Sequence, residues 1–238
     1  MSQNNPVGAK NRIELLDAWR GTAVVVMVFW HLAWDMSLWG VFPQERMFAQ
    51  PAVGVRYFIV CSFVLLSGVS CRFSRSNARR GGLTLVCAAA ITLVTNLVGD
   101  PAWFGILHLL GCCMLLYALV GRFWERLPVL PAVIVSLALF LFFHRLCYGI
   151  RVQSPWWWMF GFRTREFYSS DYYPLLPWGL LFFTGAALGG WVAASRGAWK
   201  EKKAWPPLVW VGQHALWIYM VHQVVLFGGF ALVTGRLP

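Results

Sequence analysis

Acidic side chains are what this sequence has least of: 9 aspartates and glutamates in 238 residues, against 20 lysines and arginines, giving a net charge of +11. Charged residues of either sign make up only 12% of the chain, while 59% of it is hydrophobic. So little charge cannot clothe a soluble domain, and the composition is that of a polytopic membrane protein. The positive excess does not mark a nucleic-acid binder. It lies in short loops between apolar runs, where it reads as a topology signal beside anionic lipid. The six cysteines have no CxxC spacing and fall in or beside apolar segments, so disulfides and a metal site are not expected. No cleavable signal peptide is expected before the first apolar run, because the leading residues are polar and lack a small-residue cleavage site. There is also no internal repeat of the kind that marks a transporter's inverted halves.

What the chain does have is apolar stretches of membrane-crossing length, roughly 20 residues each. They cover about 15–39, 51–73, 81–98, 103–120, 127–146, 175–194 and 208–233. The expectation is an all-α, multi-pass protein of the plasma membrane with about seven transmembrane helices in a single domain over 1–238. A cytoplasmic N-terminus and an external C-terminus put the basic loops at Arg72–Arg80, Arg122–Arg126 and Arg196–Lys203 on the cytoplasmic side. Residues 147–173 hold three consecutive tryptophans and suit an interfacial aromatic segment on the external side, in spite of their arginines.

The first stretch is unusual in carrying Asp17, Arg20, His31 and Asp35 inside an apolar run. At about 100° per residue, Arg20 and His31 lie about 20° apart around a helix and roughly 16 Å apart along it. The four side chains therefore form one polar stripe. Ionisable groups at membrane depth are costly and commonly functional, although anchoring and interhelical bonding are the plain alternative. An imidazole near neutral pKa suits proton removal from an incoming hydroxyl or amine, with Asp35 placed to hold its tautomer. Arginine's planar fork suits phosphate. The same residues equally allow a proton or anion carrier, or a haem held by paired histidines from His31, His108 and His222.

Further motifs narrow this. The run LDAWRG, separated by nine residues from HLAWD and followed by FVLLSGVSCRFS, FGILHLLG, SSDYYPLLPW with GAALGG, and HALWIYMVHQ, resembles the bacterial membrane proteins related to heparan-alpha-glucosaminide N-acetyltransferase. The motifs occur in the same order over nearly the whole chain. Arg20 and His31, with ten residues between them, and Arg72-x-x-Arg75 are also similar to motifs of the acyltransferase-3 proteins. The resemblance implies transfer of an acyl group, typically acetyl from cytosolic acetyl-CoA, to an external glycan or other envelope acceptor, without a metal. His31 is then the expected general base and Asp35 its orienting carboxylate. Asp17, Arg20, Arg72, Arg75 and Arg79 are expected on the donor side, and His108, Asp171, Trp178, Tyr219 and His222 on the acceptor side.

Overall fold

The computed structural model describes residues 12–234, and helices account for most of them. In chain order these are α1 (Glu14–Leu38), α2 (Ala52–Cys71), α3 (Asn77–Leu97), α4 (Ile106–Trp124), α5 (Val129–Gly149), α6 (Leu175–Ala194), α7 (Arg196–Glu201), α8 (Pro206–Gln213) and α9 (Ala215–Thr234). Short 3-10 turns occupy Gln44–Phe48 and Pro155–Phe160. Among the described residues, helices α1 to α6 are long and apolar enough to cross a membrane. The chain is a multi-pass membrane protein. Over the expected seventh span, 208–233, the chain forms two shorter helices instead. His214 leaves helical geometry (φ −103°, ψ 14°), so α8 and the apolar α9 meet there at a one-residue interruption.

Local chemistry sets several of these boundaries. Glu14 and Asp17 lie in the first turn of α1, where negative charge complements the exposed backbone N–H groups. Ser76 caps α3 by accepting from the Arg79 backbone N–H at 3.3 Å, which starts the helix before the apolar run and draws Arg79 into its first turn. Paired prolines open α8, where a missing N–H costs nothing. All six cysteines are free thiols.

The chain divides into two compact units. Of the described residues, one comprises those up to 62 and from 195 onward, hence α1, the first half of α2, and α7 to α9. The other, residues 63–194, holds the rest of α2 and α3 to α6. In this second unit the helices alternate in direction as a chain recrossing a bilayer must. α3 and α4 are antiparallel, with Gly81 at Gly111 and Thr92 at His108. α5 and α6 are antiparallel, with Ser136 Oγ 2.8 Å from Thr184 Oγ1 and Phe140 and His144 against Trp178. α4 and α6 are parallel, with Tyr117 against Phe182 and Trp124 against Phe183. Glycine lets the backbones close: a Cβ at Gly68 would strike the Phe182 carbonyl, and one at Gly185 the Leu65 carbonyl.

Candidate functional site

The site is set up by how α8 and α9 lie along α1. A Cβ at Gly21 would collide with the Leu208 carbonyl, and one at Gly212 with the Asp17 carbonyl, so the two backbones touch at this crossing. From there the helices run parallel and in step. Gly212 meets Gly21, His222 meets His31, and Phe230 stacks on Trp39. A parallel partner for α1 is what a seventh crossing requires.

Mid-way along this seam the rings of His31 and His222 are in edge contact, with centroids 4.8 Å apart. Both imidazoles have the same partner type. His31 Nδ1 is 2.9 Å from the Met27 carbonyl, and His222 Nδ1 is 2.7 Å from the Tyr219 carbonyl. A carbonyl only accepts, so Nδ1 carries the proton in each ring and each Nε2 keeps a lone pair. His222 is buried, and among the described residues its Nε2 has no hydrogen-bond partner. Edge contact also leaves no room for a macrocycle between these two rings, which removes the haem reading for this pair.

Asp35 lies one turn beyond His31 and is fully buried. Its carboxylate oxygens accept from Gln223 Nε2 at 2.9 and 3.0 Å. The expected hold of Asp35 on the His31 tautomer is therefore corrected: a helix carbonyl sets His31 Nδ1, and Asp35 binds α9. The reason is geometric. An imidazole in an α-helix reaches back to the carbonyl of residue i−4, while side chains four residues apart share a face without having to touch.

Asp17 and Arg20 form an ion pair at 2.8 Å. Asp17 Oδ2 lies 3.9 Å from Arg12. At this end of the seam a cleft of about 230 Å³ opens between Glu14, Ala204, Val209, Trp210 and Gln213. Glu14 on its rim holds Lys203 at 2.9 Å. Tyr219 sits beside His222, its ring 5.6 Å away and its carbonyl on His222 Nδ1. The structure thus brings His31, His222 and Tyr219 together, with Asp35 one turn further along α1 on Gln223 and Asp17 and Arg20 at the far end of the same helix.

The other expected residues lie in the second unit. Arg72 pairs with Glu125 at 3.3 Å, and Glu125 also accepts from Tyr117 at 2.6 Å. Arg75 and Arg79 are exposed where α3 begins. His108 Nε2 is 3.4 Å from Thr92 Oγ1, a hydroxyl that donates to the Ala102 carbonyl. Trp178 is buried and packed among Phe140, His144 and Tyr173.

Asp171 accepts from the Ile106 backbone N–H at 3.1 Å and so caps α4 from a distant part of the chain. Its neighbours join the same turn. Ser169 accepts from the Trp103 N–H, and Tyr168 donates to Asp100 at 2.8 Å. That bond lifts the Tyr168 phenol above its ordinary pKa, because ionising it would set two negative oxygens together. Asp171→Ala should lower stability by about 0.5–2 kcal/mol, the usual cost of losing a cap, and Asp171→Asn by less. Denaturation of the purified protein in detergent measures both.

Sequence reasoning passed over two residues of consequence. Gln223 closes the motif HALWIYMVHQ, where the expectations rested on Tyr219 and His222, and its pairing with Asp35 is long-range. Gly212 needed the crossing with α1 to become visible, although a Gly in an otherwise large-residue stretch (LVWVGQ) was a usable signal.

A multi-pass helical membrane protein with two histidines in ring contact and an arginine–aspartate pair on one crossing helix is the class these features define. The family model described as heparan-alpha-glucosaminide N-acetyltransferase, catalytic, matches residues 12–224, and the chain belongs to that family. Family membership carries acetyltransferase activity in the general sense. The match begins just before α1 and ends just after Gln223, so it takes in both units and the whole histidine cluster. Comparison with curated proteins and with solved structures gives no match.

Proposed function

We propose that this membrane acetyltransferase takes its acetyl group from acetyl-CoA on the cytoplasmic side and gives it to a hydroxyl or amine of a glycan or other envelope acceptor on the external side. The observation that carries this reading is the His31–His222 pair: two imidazoles at membrane depth with Nδ1 protons committed to carbonyls and Nε2 lone pairs left to act as bases. His31 Nε2 removes the proton from the acceptor as its oxygen or nitrogen bonds to the thioester carbonyl carbon. The carbon–sulfur bond then breaks, and CoA leaves as a thiolate that takes up the proton. His222 and Tyr219 contact the acceptor. Asp35 acts through α9.

On the donor side the reading uses Arg20, steadied by Asp17, in the first unit, and within the second unit the exposed Arg75 and Arg79 are further candidates for CoA phosphates. Arg72 joins them only by exchanging Glu125 for a phosphate. His108, Asp171 and Trp178 are the acceptor-side candidates within the second unit. Most of the rate enhancement comes from holding thioester and acceptor together, with the base adding its share.

Proteoliposomes loaded with radiolabelled acetyl-CoA and given D-glucosamine outside test this reading. Expected is labelled N-acetylglucosamine outside, with one CoA thiol released inside for each acetyl group moved. Solute movement without CoA release marks a carrier and overturns the proposal.

A further inference from the structure

Consecutive residues of α9 carry two buried acceptors: His222 Nε2 and Gln223 Oε1 both lack a hydrogen-bond partner among the described residues. Gln223 is not free to correct this by rotating its amide. Asp35, 0% exposed, takes Gln223 Nε2 with both of its oxygens, so a turned amide would set its own oxygen against them. The amide oxygen is thereby turned away from Asp35, with its lone pairs unanswered. Buried polar atoms are nearly always satisfied, and these two open acceptors on α9 suit a ligand that brings donors.

We infer that Gln223 is a recognition residue for the acceptor, reading an N–H or O–H of a sugar-like substrate through Oε1, and that Asp35 is the positioning residue that fixes the amide in this sense. This deepens the reading given above and rests on it. It also explains why an aspartate sits at membrane depth one turn from a histidine whose Nδ1 it does not bind. Asp35 selects which end of the Gln223 amide faces the ligand. The pair adds nothing to the chemistry of the thioester, so its removal acts on acceptor binding and not on acetyl-CoA binding.

The test compares four full-length proteins in nanodiscs: wild type, Asp35→Asn, Gln223→Met and the double variant Asp35→Asn/Gln223→Glu. D-glucosamine binding is read by calorimetry, acetyl-CoA binding and thermal stability are read alongside, and acetyl transfer is followed separately. Gln223→Met removes the acceptor atom and should weaken D-glucosamine binding about tenfold or more. Asp35→Asn frees the amide to turn either way and should weaken it by a smaller factor. The double variant reverses the polarity of the pair: the amide now on α1 donates, the carboxylate now on α9 accepts, and its second oxygen still faces the ligand. Net charge is unchanged, and binding should return to near the wild-type value.

Unchanged D-glucosamine binding in Gln223→Met overturns the assignment, as does failure of the double variant to recover while remaining as stable as wild type. Parallel losses of D-glucosamine and acetyl-CoA binding together with stability show a helix clamp only, and no binding by the wild type also overturns it. If binding follows the expected pattern and no acetyl transfer occurs, the acetyltransferase reading fails while the recognition role stands.

Discussion

His31→Ala is expected to lower acetyl transfer by about 10²–10⁴-fold, the usual contribution of a positioned general base, while acetyl-CoA binding stays close to wild type. The separation follows from where the residue sits. His31 lies roughly 16 Å along α1 from Arg20, so its loss leaves the Asp17–Arg20 pair and the cleft beside Glu14 untouched. It is also a partly buried side chain bonded to its own helix, so alanine removes no long-range hydrogen bond on which the fold depends. The loss should therefore fall in kcat, not in the KM for acetyl-CoA. His222→Ala should cost less in kcat and more in acceptor KM, because the role proposed for it is contact. Steady-state kinetics in proteoliposomes, with acetyl-CoA binding measured separately, decides the matter. Normal turnover by His31→Ala would show that the imidazole is structural.

A second large effect is expected at a glycine remote from the chemistry. Gly212→Val should destabilise the protein by about 1–3 kcal/mol or more and abolish transfer together with it. A β-carbon there meets the Asp17 carbonyl and the Gly21 amide, and backbone on both sides cannot give way as a flexible side chain would. α8 must then lift from α1. Because α8 leads directly into α9, His222 and Gln223 would leave their places opposite His31 and Asp35. Gly228→Ala is the control: a β-carbon at that position meets nothing within 4 Å. Thermal melts in detergent should separate the two variants clearly. Equal stability of Gly212→Val and wild type would mean that the crossing does not set the register of the site.

Much of the fold was legible because the bilayer permits so few solutions. An apolar run of sufficient length in this composition has to be a helix, since its backbone polar groups have no water to turn to. The sixth span coincides with Leu175–Ala194, and the first begins and ends within a residue of its expected limits. The boundary of α3 was less legible, because the Ser76 cap extends it into a basic segment that hydropathy assigns to a loop. The break at His214 was not legible at all. Its ring nitrogen and backbone N–H both turn to the Trp210 carbonyl, which no periodicity announces.

The site divides in the same way. That Asp17, Arg20, His31 and Asp35 share one face was already decided by helical spacing, and so was their place within a crossing segment. His222 was singled out as a histidine inside the last apolar run. Which groups meet was a matter for tertiary structure alone. Asp35 found Gln223 across 188 positions of sequence, Arg72 found Glu125, and Asp171 found the start of α4. Sequence by itself determines what each helix carries and on which side, because those properties come from a repeating local geometry. The partner of each polar group depends on the rotation and register of two packed helices, and here steric contact between glycine backbones at Gly21 and Gly212 decides both.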